Sequence, residues 1–190
     1  FVDFKIETIL SIVKKEDLLM NGLINGKATI SNLETKPSFI SDIKVDDFVF
    51  NGEEVGDISI KVDNQTADLL NAKVLLSGGE NNLDIAGTYR ISNGGLDLNA
   101  DINHLNIKSI QGFTMNNVTE GTGFLTGNFK VAGTVDAPNV NGELKFNGAG
   151  FRITKLNSYF KMSDEKIAFN NEGITLNQLS VQDENDNKLV

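Results

Sequence analysis

Apolar and polar residues alternate without a break from Leu96 to Asn103, and this two-residue period constrains the fold more than any other feature of the chain. Side chains on an extended strand point to opposite faces in turn, so the run gives a strand with one apolar and one wet face, which a helix cannot present. The preceding segment, Leu83 to Ile91, alternates too, and Ser92-Asn93-Gly94-Gly95 between them carries the residues of a tight turn. The two segments are expected to pair antiparallel.

The same pattern recurs along the chain. Short strands are expected at 28–31, 43–45, 48–50, 57–62, 74–76, 124–131, 142–146, 151–153, 166–169 and 174–181, and nearly every gap between them holds Gly, Asn or Asp. With 18 glycines and 24 asparagines the chain is rich in residues that accept positive φ and weaken helix interiors. Its apolar fraction of 39% fits many strands joined by many turns. The alternation slips phase between Ile102 and Leu105, and again between Leu176 and Leu179, which predicts bulges that bend the sheet.

Two stretches depart from the pattern. Ile6, Ile9, Leu10 and Val13 fall at helical spacing, predicting a short amphipathic helix over 7–20 capped near Asn21-Gly22. Residues 64–71, centred on Ala67-Asp68-Leu69-Leu70, read as a loop with a possible helical turn. The fold expected is therefore all-β, an elongated, curled antiparallel β-meander with at most one or two short helices.

Sliding the chain over itself by 101 residues lays Gly22, Gly26, Pro37, Lys44 and Phe50 on Gly123, Gly127, Pro138, Lys145 and Phe151. Ile24 then matches Leu125, Ile30 matches Val131 and Ile43 matches Leu144. Several matches in one register point to a repeated unit, approximately 22–62 and 123–163, within a single segment 1–190.

Composition and motifs exclude several function classes. The net charge of −9, from 17 basic and 26 acidic residues, repels a phosphate backbone and argues against nucleic acid as a partner. No cysteine is present, so neither a disulfide scaffold nor a thiolate metal site can form. The single histidine, His104, has no companion for a common zinc site or a triad and reads as a surface or bulge residue. Asp183-Glu184-Asn185-Asp186-Asn187 lacks the central glycine and distal glutamate of a calcium loop and reads as a solvated turn. The pairs Asp46-Asp47 and Glu53-Glu54 would point to opposite faces of a strand and share no proton. The glycines of Gly22/Gly26 and Gly123/Gly127 read as bends or points of close backbone approach, while Ser77-Gly78-Gly79 and Gly148-Ala149-Gly150 lack the Lys and Ser/Thr of a phosphate loop. No enzyme activity, catalytic residue, cofactor or metal is expected.

No apolar run reaches the roughly 20 residues needed to span a bilayer. Both ends read as interrupted strands, so the sequence is expected to be an internal stretch of a longer protein.

The run from Gly121 to Phe151, followed by Ile153, Leu156, Tyr159, Ile167-Ala168-Phe169, Gly173-Ile174-Thr175-Leu176 and Val181-Gln182-Asp183, resembles the repeat of the TamB/AsmA-like family of translocation and assembly module proteins, especially its Bacteroidetes versions. The resemblance covers residues 83–190 closely and 20–62 more loosely. It implies a half-pipe or β-taco-like groove with an apolar interior. It also implies a periplasmic bridge protein anchored in the inner membrane of a diderm bacterium, working with an outer-membrane barrel partner of the TamA/BamA kind. The cargo implied is phospholipid or nascent outer-membrane protein.

The residues lead to a compatible mechanism. A sheet apolar on one face must cover that face with a second sheet or with a lipid. Candidate groove-lining residues are Leu83, Ile85, Tyr89, Ile91, Leu96, Leu98, Ile102, Phe129, Val131, Leu144, Phe146, Ile167, Phe169, Ile174 and Leu176. The competing readings are a structural or adhesive β-sandwich with a closed core, and a carbohydrate-active or other β-solenoid enzyme, which would need inward acidic pairs across neighbouring strands.

Overall fold

Turn residues stand wherever the alternation stops, and the chain accordingly folds as a succession of hairpins. The computed structural model describes residues 1–12, 14, 18–31, 38–176 and 179–189. In chain order the elements are β1 (Phe4–Lys5), α1 (Ile6–Ile12), β2 (Met20–Ser31), β3 (Ser38–Phe50), β4 (Glu53–Thr66), β5 (Leu69–Gly78), β6 (Asn81–Arg90) and β7 (Gly95–Asn106). There follow α2 (Ile107–Gln111), β8 (Val118–Thr134), β9 (Pro138–Ile153), β10 (Ser158–Met162), β11 (Lys166–Asn170), β12 (Gly173–Leu176), β13 (Val181–Asp183) and β14 (Lys188–Leu189). Every one of these strands belongs to a single antiparallel sheet, ordered β1 through β10 and then β13 and β14. The outer edge of β9 is shared: β10 takes one end, and β11, which carries β12, takes the other. The sheet is curled and unclosed, as the alternation and the phase slip lead one to expect.

Pairing gains more than local spacing at several places. The helix expected over 7–20 is described only as Ile6–Ile12, and its expected cap, Asn21-Gly22, instead lies within β2, where Asn21 pairs with Val49 of β3. Val13 and Pro37 lie outside the described residues. The expected loop at 64–71 is a tight hairpin: β4 runs to Thr66, Ala67-Asp68 turn, and Leu69 already pairs back. Segments expected as separate strands merge, 43–45 with 48–50 into β3 and 142–146 with 151–153 into β9. Asp46-Asp47 sits at the break within β3, with Asp47 at φ 53°, so the pair occupies a bulge rather than regular strand. The slip between Ile102 and Leu105 is a register shift against β8. His104 lies in that bulge, its ring stacked on Phe124 with centroids 3.9 Å apart. Of the slip between Leu176 and Leu179, residues 177 and 178 lie outside the description. Asp183 to Asn187 form the β13–β14 turn, where Asp183 accepts the backbone N–H groups of Asn185 and Asn187.

The short helix α2 has no counterpart among the sequence expectations. Asn106 caps it, its side chain accepting the Lys108 N–H at 3.0 Å. Counting back 101 residues from Ile107 reaches Ile6, the first residue of α1. The hairpins that follow the two helices also share a register. Ile24 pairs with Val45, Asn25 with Lys44 and Gly26 with Ile43 in β2–β3. At the same offset Leu125 pairs with Phe146, Thr126 with Lys145 and Gly127 with Leu144 in β8–β9.

Both helices lie on the apolar face near the same strand ends. Ile6 and Leu10 of α1 pack with Val45, Phe48, Phe50, Val55 and Leu76. Ile107 of α2 packs with Leu125, Ala149 and Met162, with Leu144, Phe146 and Phe151 against them. Those two clusters hold the buried apolar side chains among the described residues, and none of their large side chains is less than 2% exposed.

Candidate functional site

In an antiparallel sheet, residues directly opposite share a face, so the register identifies which side chains line which wall. One ladder of directly opposed residues runs Phe4, Ile24, Val45, Ile58, Leu76, Leu83, Ile102, Gly127, Leu144, Ile167 and Leu176, one from each successive strand across the sheet. Only Gly127 interrupts the apolar series. A second ladder, two residues along, runs Ile43, Ile60, Val74, Ile85, Ala100, Phe129, Gly142, Phe169 and Ile174. A third includes Val62, Ala72, Gly87, Leu98, Val131 and Val140. At the usual strand spacing of about 4.8 Å, the first ladder extends roughly 45–50 Å.

All but one of the candidate lining residues stand on this face. Leu83, Ile102, Leu144, Ile167 and Leu176 lie in the first ladder, Ile85, Phe129, Phe169 and Ile174 in the second, and Leu98 and Val131 in the third. Tyr89 and Leu96 oppose each other farther along, and Phe146 opposes Leu125 nearer the helices. Ile91 is the exception and corrects the sequence expectation: β6 ends at Arg90, and Ile91 sits in the β6–β7 turn, 51% exposed. The turn takes it because its N–H donates to the carbonyl of Asp68 in the neighbouring hairpin. The sequence reading also missed the first half of the wall, Ile43, Val45, Ile58, Ile60, Val74 and Leu76. The signal for them is present in the sequence, since the strand expected over 57–62 alternates as cleanly as those that supply the candidate lining residues.

The opposite face carries the charge. Lys61 pairs with Asp42 at 3.1 Å, Lys73 with Asp84 at 3.3 Å, Lys130 with Asp97 at 3.5 Å and Lys166 with Glu143 at 3.3 Å. Exposed pairs of this kind contribute at most about 1 kcal/mol each, so they mark the wet side rather than secure the fold.

The two lips of the trough differ. Along one, α1 and α2 cover the apolar face, leaving beneath α2 a small cavity of about 170 Å³ lined by Ile107, Ile110, Leu125, Phe146 and Phe151 among others. Along the other lip stand hairpin tips, without a helix among the described residues, and near the β12 edge a cleft of about 470 Å³ opens between Pro138, Val140, Phe169 and Ile174. That size falls within the roughly 300–1,000 Å³ of small-ligand sites.

Glycine on the apolar face permits the curl. A Cβ on Gly127 would collide with the carbonyl oxygen of Glu143 and stand 3.1 Å from Cα of Leu144, so β8 and β9 approach more closely than a side chain permits.

Hydrogen bonds lace the hairpin tips together. Asp68 in the β4–β5 turn accepts the Ser92 N–H at 2.7 Å, the Ser92 hydroxyl at 2.9 Å and Arg90 at 3.1 Å. The Ser92 hydroxyl, then the Ser92 N–H and Arg90, hold the Asp68 carboxyl below its ordinary value of 3.8. A depressed carboxylate pKa contributes stability that is present above the unfolded value and lost as pH falls through the folded one. Acidification below about pH 4 is therefore expected to loosen this tip. Asp68→Asn should flatten that part of the profile, read as amide exchange at Ser92 and Ile91; an unchanged profile would remove Asp68 as the cause.

Among the described residues no group of three or more His, Asp or Glu side chains is placed to hold a metal ion, and no helix is long and apolar enough to cross a membrane. Asp46 accepts from Asn25 at 2.9 Å and Glu53 accepts from Gln111 at 2.6 Å, so a member of each paired-carboxylate motif is engaged in a side-chain hydrogen bond. No protein-family model matches the chain, and no match to it was found among curated proteins or solved structures.

Proposed function

We propose that the chain is a segment of a periplasmic bridge protein whose apolar β-trough carries phospholipid acyl chains, or nascent outer-membrane protein strands, between inner and outer membrane beside an outer-membrane barrel partner. The observation that carries this reading is the ladder from Phe4 to Leu176, apolar at every strand but one. Helix α1 buries Val45 and Leu76 of that ladder, while Leu176 at its far end and the neighbouring Ile174 are exposed, and apolar surface left open in this way is costly in water unless something covers it. An acyl chain suits it because each methylene taken from water contributes about 0.8 kcal/mol without requiring a fixed partner. A surface that holds a chain only by burial lets it slide along the ladder.

The test uses the two-residue period. Photoreactive residues are placed at Leu98 and Phe129 in the trough and at Asn99 and Lys130, their chain neighbours on the back, and the protein is mixed with phosphatidylethanolamine vesicles. Acyl labelling is expected at the first pair and not at the second. Equal labelling of the two pairs would reject an acyl-binding trough.

A further inference from the structure

At the offset of 101 the residues packed beneath the two helices match in kind. Ile6, Ile24, Val45 and Phe50 around α1 correspond to Ile107, Leu125, Phe146 and Phe151 around α2. At Leu10 the correspondence fails, because its counterpart is Gln111. Leu10 is 9% exposed and packs into its cluster with Val45 and Phe50. Gln111 is drawn sideways instead: its amide nitrogen donates to Glu53 Oε1 at 2.6 Å, and its side-chain oxygen accepts the Gly121 N–H at 2.8 Å. The apolar space it leaves open is the cavity of about 170 Å³ beneath α2.

The chemistry of this cavity favours hydrocarbon over water. Of its lining side chains only those of Gln111 and Thr114 are polar. Both polar atoms of Gln111 are bonded elsewhere, and the Thr114 hydroxyl donates to the Gln111 backbone carbonyl at 2.6 Å while accepting the Val118 N–H at 3.0 Å. An enclosed water needs about two to four polar partners, and an apolar cavity of about 150 Å³ without them stays dry and takes up a molecule the size of benzene.

The cavity also joins the trough. Leu125 and Phe146 oppose each other two residues along from Gly127 and Leu144 of the first ladder, so the two pairs share a face. On β8 the residue between cavity and trough is Gly127, which puts no side chain in the way. A space of about 170 Å³ is too small for a whole ligand of ordinary size, whose sites hold roughly 300–1,000 Å³. It suits one end of a flexible apolar chain.

We propose that the cavity beneath α2 receives the methyl end of an acyl chain whose remainder lies along the trough. The inference rests on the acyl reading of the trough and adds a fixed end point to it. The polar end of the same molecule is turned away, because it would enter without a free hydrogen-bonding partner. Each methylene taken from water strengthens binding about fourfold, so a chain that elsewhere slides is held at one place.

Decanol, isotope-labelled at its terminal methyl, is the probe, and its nuclear Overhauser contacts to protein methyl groups are the readout. Contacts are expected from that methyl to Ile107, Ile110 and Leu125, and none of the three should contact the hydroxyl-bearing methylene. Contacts to Leu98 and Val131 in place of those three would overturn the end site and leave the acyl trough standing, whereas contacts to neither group would overturn both. These contacts are read on the unaltered protein and depend on no variant folding. Ile110→Phe fills the cavity and keeps the bonds of Gln111. It should abolish the three contacts and weaken decanol binding about tenfold, the worth of one to two methylenes, since the chain can still lie in the trough. Gln111→Leu, which gives α2 the side chain that α1 carries, should do the same. Ile110→Ala widens the cavity and should shift the preference toward longer alcohols. A filling variant that keeps its far-ultraviolet circular dichroism and binds decanol as tightly as the native protein would overturn the proposal.

Discussion

Gly127→Val is expected to lower the melting temperature by roughly 5–10 °C. The sign is informative, because β-propensity alone predicts the reverse: glycine inside a strand costs about 0.5–1 kcal/mol and valine is among the best strand formers. Against that gain stands the Glu143 carbonyl oxygen, which occupies the place of the new Cβ. Forcing atoms into a closely packed site costs about 1–3 kcal/mol. Here the obstacle is backbone on a strand paired on both sides, which cannot swing away as a side chain could. A loss of about 2–3 kcal/mol, at about 2–4 °C per kcal/mol for a chain of this size, gives the range stated. Gly26→Val meets the Asp42 carbonyl in the same way and comes within 2.8 Å of the Ile43 Cα, and Gly26 stands at φ 134°, which a residue with a side chain rarely adopts, so a loss at least as large is expected. Gly95→Ala is the control. Its Cβ would meet the Asn93 side-chain oxygen at 2.9 Å, which can rotate, and the Arg90 Cβ at 3.3 Å, which must give by a few tenths of an ångström, and the change should remain within about 1 kcal/mol. Thermal melts followed by far-ultraviolet circular dichroism decide the matter, and equal melting of Gly127→Val and Gly95→Ala would show that the sheet does not depend on this close approach.

What the sequence revealed and what it hid divide along a physical line. Alternation is local, so β6, β7 and the bulge after Ile102 could be read from neighbouring residues alone. The candidate wall was legible for the same reason, since apolar residues two apart on one strand must share a face. Register is not local. That Leu83, Ile102, Leu144 and Ile167 fall in one ladder depends on how far each hairpin slides before it closes, and the turns leave that open. Ile91 was misplaced because the alternation from Leu83 continues through it, while the hydrogen bond from its N–H to Asp68 comes from a different hairpin. Residues 64–71 misled because Ala67-Asp68-Leu69-Leu70 suits a helical turn, yet Leu69 and Leu70 gain partners on two strands by extending. α2 was hidden by its length. Five residues cannot display a helical period, and its legible signs were the capping Asn106 and its distance of 101 residues from α1.

Leu98→Asp is expected to weaken binding of a neutral acyl probe, such as a pyrene-labelled fatty alcohol, by tenfold or more while leaving the sheet folded. Leu98 lies in the third ladder between Gly87 and Val131, away from both helix-covered clusters, and is only half-buried. Full burial of a leucine is worth about 1.5–3 kcal/mol, so losing this one costs the fold about 1 kcal/mol. In the empty trough the new carboxylate remains hydrated. Under an acyl chain it must lose that water with no partner, and a penalty of only about 1.4 kcal/mol already amounts to tenfold. Leu125 behaves differently: it is 7% exposed within the α2 cluster, and Leu125→Ala should cost about 2–5 kcal/mol of stability, so weak binding by that variant would report unfolding rather than the trough. Asn99→Asp supplies the comparison that isolates the face. It adds the same charge one residue away on the hydrated side and should alter affinity less than about twofold, because exposed charges at that distance are screened. Protonation gives a second check, since the Leu98→Asp defect should fade as pH falls toward about 4, where an ordinary aspartate loses its charge, while Asn99→Asp stays flat. Equal weakening by the two variants would mean that the probe senses net charge and not the apolar wall, and an acyl chain could then no longer be assigned to it.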